Sequence, residues 1–394
     1  MAMRRGIMVL SLALACLALV AELAHMWRNY EYGSFGTDDF LEYWSAGQLL
    51  RQGKNPYDFD ALLDIERSVG WPEEAPLIMW NPPWTLPLVL PLAFLPFNMA
   101  ALLWFCINLA ILFVCSAAAW RLFAPEGFAN RIGLAWMAAF VFMPAIFTLR
   151  MGQISSLILL GVVGFIFYTA KGRDILAGAS LALAMVKPHV VYLLLVTLCW
   201  WTATRRRWGA LLGLAAALAV LMAVVLCFSP RCVEHYLQAM REPPLYWRTP
   251  TLGGVLRVLV GWEHRWLQFL PSAVLSLVTL FCLTQRAAKF EWRRAIGPIL
   301  LISVPTAAYG WSFDQIVLLI PYIQAIAWVV QHGRERRASS ALVLTALLLT
   351  NGLMCWQNRR GLDDLYQFWA PLALGAIYIY SRLTLCPGRE GKSK

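Results

Sequence analysis

Apolar runs of membrane-crossing length recur from one end of this chain to the other. Stretches near 7–26, 98–120, 132–149, 154–170, 174–186, 188–202, 208–228, 267–285, 294–310, 313–330, 339–357 and 367–385 are nearly free of charge. A spanning segment must satisfy its backbone hydrogen bonds internally, which in one continuous run means an α-helix. The chain is therefore expected to be an all-α polytopic membrane protein with about 12 spans. A transmembrane β-barrel would instead show alternating segments of about ten residues. Composition agrees: 60% of residues are hydrophobic and 14% charged, where a soluble domain carries about a quarter charged residues.

Two of the runs are short. Those at 174–186 and 188–202 meet at Lys187-Pro188-His189 with no room for a loop, which predicts two half-length helices touching at a polar tip. The stretch from Trp80 to Pro96 holds Pro82, Pro83, Pro87, Pro91 and Pro96. It is too broken for a regular span and reads as an interfacial or re-entrant segment buried against protein. The run from Ile7 to about Met26 is long for a signal peptide, so an uncleaved first span is expected.

The net charge of +11 does not point to nucleic acid, because of where the charge falls. With the N-terminus in the cytoplasm, 20 of the 33 Lys and Arg lie in cytoplasmic pieces, among them Arg205 to Arg207 and Arg293-Arg294. That is the positive-inside pattern, and both termini come out cytoplasmic. The chain then reads as one membrane domain over 1–394, with a first extracytoplasmic loop at 29–81, helical in part, and a second at 229–266. Residues 150–153, 187–189, 311–315 and 358–367 fall on the same outer side. The cytoplasmic turns are short and basic, so an active site would face outward.

Within the first loop, Asp38-Asp39 precedes a helical pattern of Phe40, Leu41, Trp44, Leu49 and Leu50. The pair fits helix capping, with Glu42 as partner three residues on from Asp39. It fits equally a carboxylate base, with Tyr43 on the same helix face as Asp39. Lys187 and His189 flank Pro188 at the tip of the half-helices. A cation so deep in apolar sequence needs a partner or an anion, and a lipid phosphate is the expected one. In the turn Arg150-Met151-Gly152-Gln153, Arg150 and Gln153 suit phosphate or sugar hydroxyls. Asp314-Gln315 beside Trp311 and Phe313 suits either a cap or a sugar. The loop from Arg231 to Trp266 is rich in Trp and Tyr, as an aromatic belt or an acceptor cover would be. The nine Cys show no CxxC or metal spacing. No metal is expected, and no nucleotide-binding or hydrolase fingerprint is present.

Asp39-Phe-Leu-Glu-Tyr43, Ala46-Gly47, Leu49-Leu50, Gly53 and Asn55-Pro56-Tyr57-Asp58 together resemble the first loop of glycosyltransferase family 87. Asn81-Pro82-Pro83, Gly152-Gln153, Ala177-Gly178 leading to Lys187-Pro188, and Trp311 to Pro321 are similar to later landmarks in the same order. At Asp314-Gln315 the chain departs from the histidines many members carry. The resemblance implies a GT-C fold and transfer of a hexose, mannose in that family, from a polyprenyl-phosphate donor to a lipid- or glycan-linked acceptor. It implies Asp39 as the catalytic base, with Asp38 as the alternative. Direct displacement would invert the anomeric carbon. Lys187, His189, Arg150, Gln153, Tyr43, Asn81, Asp314 and Gln315 would contact the substrates. No cofactor is expected beyond the lipid-linked donor, and the partners are that donor, a glycolipid or glycan acceptor and the bilayer. A transporter or flippase would show internal repeats and mid-span charges. A polysaccharide polymerase or ligase would share the outward loops and basic pockets.

Overall fold

The structure is a computed structural model; it describes residues 38–386 except 242, 245, 286–289 and 334, and of Asp38 the backbone alone. The expected first span at 7–26 lies outside the described residues. Those described are helical with no strand among them. The described part of the expected first loop, 38–81, holds two helices, α1 over Asp38–Arg51 and α2 over Phe59–Ser68. There follow α3 Phe97–Phe123, α4 Ile132–Val141, α5 Met143–Met151, α6 Ser156–Ala170, α7 Asp174–Leu181, α8 Tyr192–Arg205, α9 Gly209–Phe228 and α10 Cys232–Ala239. The chain continues with α11 Leu252–Val260, α12 Leu270–Gln285, α13 Trp292–Ser303, α14 Leu319–His332, α15 Arg337–Arg359 and α16 Trp369–Leu385.

Most expected runs within the described residues appear as helices near their expected bounds, though several are too short to span by themselves. Among the described residues, four helical stretches are long and apolar enough to cross a membrane: Phe97–Phe123, Gly209–Phe228, Ser312–His332 and Arg337–Arg359. A fifth counts only if α4 and α5 form one span. The sequence suggests one helix over 132–149, yet these two meet at a 69° bend. Pro144, which has no N–H, stands at the start of α5. The Met143 N–H that the bend leaves over donates to Asn351 Oδ1 at 2.7 Å. Outward-facing Leu212, Val220, Leu277, Phe281 and Leu349 are each more than half exposed, an apolar surface suited to lipid.

Backbones approach closely where α7 crosses α9. A Cβ on Gly178 would lie 1.8 Å from the Ala210 carbonyl oxygen, and one on Gly213 2.0 Å from that of Ile175. Small residues at such crossings let apolar helices pack backbone to backbone. Nearby, Arg207 grips Asp174 with two charge-assisted bonds at 2.6 and 2.8 Å.

The Pro-rich stretch is a 3-10 turn at Pro83–Thr85, one α turn at Leu86–Val89 and a second 3-10 turn at Leu90–Phe94. Prolines deprive it of a continuous ladder, and α1 supplies donors instead. Gln48 Nε2 donates to the Ala93 carbonyl at 2.8 Å, and Trp44 Nε1 to that of Leu95 at 3.1 Å. Phe40 stacks on Phe97 and Trp104 at 6.0 Å each. The start of α1 is thereby fixed against α3 and cannot swing as a free surface helix.

Candidate functional site

Three chain reversals and the start of α1 meet at one cavity of about 790 Å³. The first reversal ends α5. Gly152 adopts φ 65°, a left-handed conformation that costs a residue with a side chain about 1 kcal/mol or more. Its carbonyl accepts from Trp104 Nε1 at 2.7 Å. The reversal turns Gln153 inward, and the amide of that residue joins the site's charged groups. Its Nε2 donates to Asp39 Oδ2 at 2.7 Å. Its Oε1 accepts from Tyr43 Oη and from Lys187 Nζ, both at 2.9 Å. The amide orientation follows from these partners: a carboxylate accepts only and an ammonium donates only.

The second reversal is the break between α7 and α8, where 3-10 turns at Ala182–Val186 and Pro188–Val191 flank Lys187. The expected pair of half-helices meeting at a polar tip is present. Asn81 Nδ2 holds the Val186 carbonyl at 2.8 Å, and Trp84 Nε1 holds that of Met185 at 2.9 Å. The Asn81-Pro82-Pro83-Trp84 motif thus acts as a clamp on the residue before Lys187. Asn81 also lines the cavity, with one of its two amide N–H groups committed to this clamp.

The third reversal is Trp311–Phe313. Asp314 Oδ2 accepts from the Trp311 N–H at 2.9 Å, so the capping role open in the sequence is filled. Its other oxygen accepts from Lys187 Nζ at 2.8 Å and from Ser155 Oγ. Lys187 Nζ also reaches Ser155 Oγ at 3.3 Å and lies 4.7 Å from the Phe313 ring centre. An ammonium has three N–H donors, and Gln153, Ser155 and Asp314 accept all three. Lys187 is therefore a buried cation whose donors face Gln153, Ser155 and Asp314 at the cavity wall.

The other expected residues sort cleanly. Asp39, Arg150, Gln153, Lys187, His189 and Asp314 line the cavity. The His189 ring meets Tyr309 edge to face at 6.3 Å. Tyr43 is wholly buried behind the wall and reaches the site through Gln153. Gln315 is turned away, lining a small void with Phe142, Tyr322 and Asn351. The helical alternation after Asp314 points it at the opposite side from its neighbour.

Sequence reasoning left out three polar residues of the site. Ser155 stands two residues after Gln153. Glu42, whose spacing from Asp39 suggests a capping partner, lies one helical turn from Asp39 and shares the cavity-facing side. Asp364 enters from the turn at Asp364–Gln367 and accepts from the Ser312 N–H at 2.9 Å. Asp363-Asp364 is a second Asp-Asp pair in a chain poor in acids, and that is the available signal. Burial pushes the Asp364 carboxyl up to about 6. Burial also raises the Glu42 carboxyl well above its usual range, and Asp39 adds to the effect. Among the described residues no group of three His, Cys, Asp or Glu is placed to hold a metal ion.

The arrangement supplies a carboxylate that accepts from the Gln153 amide, an adjacent carboxyl, and Arg150 and His189 on the wall of a cavity roomy enough for a sugar ring. Trp80, Trp247 and Trp311 form an aromatic wall on one side, with Trp247 and Trp311 ring centres 5.6 Å apart. Such a site can deprotonate a hydroxyl at one end and hold an anion at the other.

Neither the curated proteins nor the solved structures yielded a significant match to the chain. The model of glycosyltransferase family 87 matches residues 80–356, well over half of the sequence. The matched region contains the turn at Gln153, the break at Lys187 and the reversal at Asp314, but begins after α1. On that match, this membrane protein is a glycosyltransferase and belongs to glycosyltransferase family 87.

Proposed function

We propose that this enzyme transfers a hexose, mannose on the family resemblance, from polyprenyl phosphate to a hydroxyl of a glycolipid or glycan acceptor. The reaction takes place on the extracytoplasmic face, within a GT-C fold, and inverts the anomeric carbon. One observation carries the proposal: Asp39 and Lys187 grip opposite ends of the Gln153 amide in a single cavity.

Asp39 is the general base. It removes the proton from the acceptor hydroxyl as that oxygen bonds to the anomeric carbon and the carbon–phosphate oxygen bond breaks. The electron pair of the broken bond leaves with the phosphate, whose growing charge needs positive groups placed in advance. Arg150 is the cavity-lining cation suited to that end, while His189, whose pKa burial lowers to about 4, is a neutral N–H donor beside it. Lys187 contributes by its field and by keeping Gln153 oriented, since its donors are already taken. The segments around the cavity are the ones whose charge pattern assigns them to the outer side. The polyprenyl tail leaves along the Pro-rich stretch 83–94.

The test is transfer from radiolabelled polyprenyl-phosphate mannose by the purified chain in proteoliposomes, with the linkage of the product determined. A β-linked donor giving an α-linked product supports the proposal. Retention of configuration, or transfer only from a nucleotide sugar, contradicts it.

A further inference from the structure

α1 presents two acidic side chains to the cavity, Asp39 and Glu42. The glycosyl transfer described above uses only the first. The two stand one helical turn apart on the same face, flanked by Phe40, Leu41 and Tyr43, which are buried. Two carboxylates so close in a partly closed site do not ionise independently; one keeps the charge and the other keeps a proton.

The partners decide which. Asp39 Oδ2 accepts the Gln153 Nε2–H at 2.7 Å, and the same amide is polarised at its far end by Lys187. That favours charge on Asp39. Glu42 faces Asp39 and Tyr43 on its own helix, Glu66 from α2 and Lys187 from the α7–α8 break, with Arg150 of α5 also on the cavity wall. Burial, Asp39 and Glu66 all push its carboxyl upward, against opposition from Lys187 and the Tyr43 hydroxyl.

We propose that Glu42 is a second substrate-contacting carboxyl, donating its O–H to a ring hydroxyl of the transferred hexose while Asp39 takes the acceptor proton. The inference rests on the cavity being a glycosyl-transfer site. Its location supports a hydroxyl beside the anomeric carbon as the partner. Glu42 adjoins the base, where the acceptor oxygen and anomeric carbon meet, while Arg150 and His189 serve the phosphate. The Glu42 proton is held throughout and is not transferred.

Glu42→Gln keeps a neutral side chain with an N–H donor; Glu42→Ala removes the donor. In proteoliposomes fed polyprenyl-phosphate mannose, Glu42→Ala is expected to lower kcat by about tenfold or more, in the range of one lost donor or proton-handling group. Glu42→Gln should restore most of that loss and abolish the fall in rate that wild type shows as alkaline pH ionises Glu42. A substrate-free readout separates this inference from the proposed reaction. The infrared spectrum of the resting protein at neutral pH should show a protonated carboxyl band that Glu42→Gln diminishes. If that band is unchanged, or Glu42→Gln is as impaired as Glu42→Ala, or the alkaline limb persists in Glu42→Gln, the inference is overturned. Wild type that transfers nothing from the lipid-linked donor, yet shows the band, overturns the proposed reaction and leaves the neutral Glu42 standing.

Discussion

Asp39 and Lys187, far apart in the sequence, hold the two ends of one side chain: Gln153 donates to the carboxylate at 2.7 Å and accepts from the ammonium at 2.9 Å. The amide is a coupler. Its dipole is aligned with both charges, so moving either one disturbs the other through Gln153.

Gln153→Glu replaces the N–H facing Asp39 with an oxygen while keeping an acceptor for Lys187. Repulsion between the two carboxylates then displaces the base. Activity is expected to fall about a hundredfold or more, as when a preorganised polar contact is lost from an active site. The folded structure should survive, because Lys187 gains a second anionic partner. Initial transfer rates with a thermal melt of the same preparation check both halves.

Breaking the buried Lys187–Asp314 pair from one side leaves an uncompensated charge, at a cost of about 3–5 kcal/mol. Lys187→Met is therefore expected to melt well below wild type. The double variant Lys187→Met with Asp314→Asn should recover most of that stability without regaining activity. Thermal unfolding in detergent, compared across the two single variants and the double, measures the coupling.

Glu66 is wholly buried in α2, and Ser45 Oγ and the Leu77 N–H contact its two carboxyl oxygens at 3.0 and 2.9 Å. Burial pushes its carboxyl up to about 7, from about 4.5 in the unfolded chain. The folded state thus binds more protons than the unfolded state between these values, and stability falls as pH rises through that window. The protonated acid is well satisfied: its O–H can donate to Ser45 Oγ, which donates in turn to the Glu42 carbonyl at 3.3 Å. Glu66→Gln should flatten the decline in melting temperature between about pH 5 and about pH 8. A variant that still loses stability with the wild-type slope would contradict this.

Gly213→Ala inserts a methyl where the Ile175 carbonyl leaves no space. Overpacking of this kind costs about 1–3 kcal/mol, and α7 and α9 must separate. Because α7 leads directly to the Lys187 break, activity should fall with stability. Gly375→Ala, with nothing within reach of its new carbon, should melt as wild type and serves as the control.

The helices were legible wherever apolar length alone decides, as at Phe97–Phe123 and Gly209–Phe228. The bend before Met143 was missed because Pro144 marks a helix start as readily as an interruption; only Asn351, far along the chain, resolves which. At the site, Asp39, Gln153, Lys187 and Asp314 stood out individually, as polar residues stranded beside apolar runs. Their mutual pairing was not legible, since it depends on three reversals from separate spans converging. A lone lysine in sequence looks like an anion site, and only the tertiary structure reveals that its donors face Gln153, Ser155 and Asp314.

The most direct measurement compares initial rates of mannosyl transfer by wild type, Asp39→Asn and Asp38→Asn at equal amounts of folded protein in proteoliposomes. Asn keeps the size of the side chain and removes the base. Asp39→Asn should lose about two to four orders of magnitude, the usual contribution of a positioned general base, while Asp38→Asn stays within about threefold of wild type, a change worth less than 1 kcal/mol. Wild-type rates in Asp39→Asn, with loss in Asp38→Asn instead, would contradict the assignment of the base and the role of the Gln153 coupler with it.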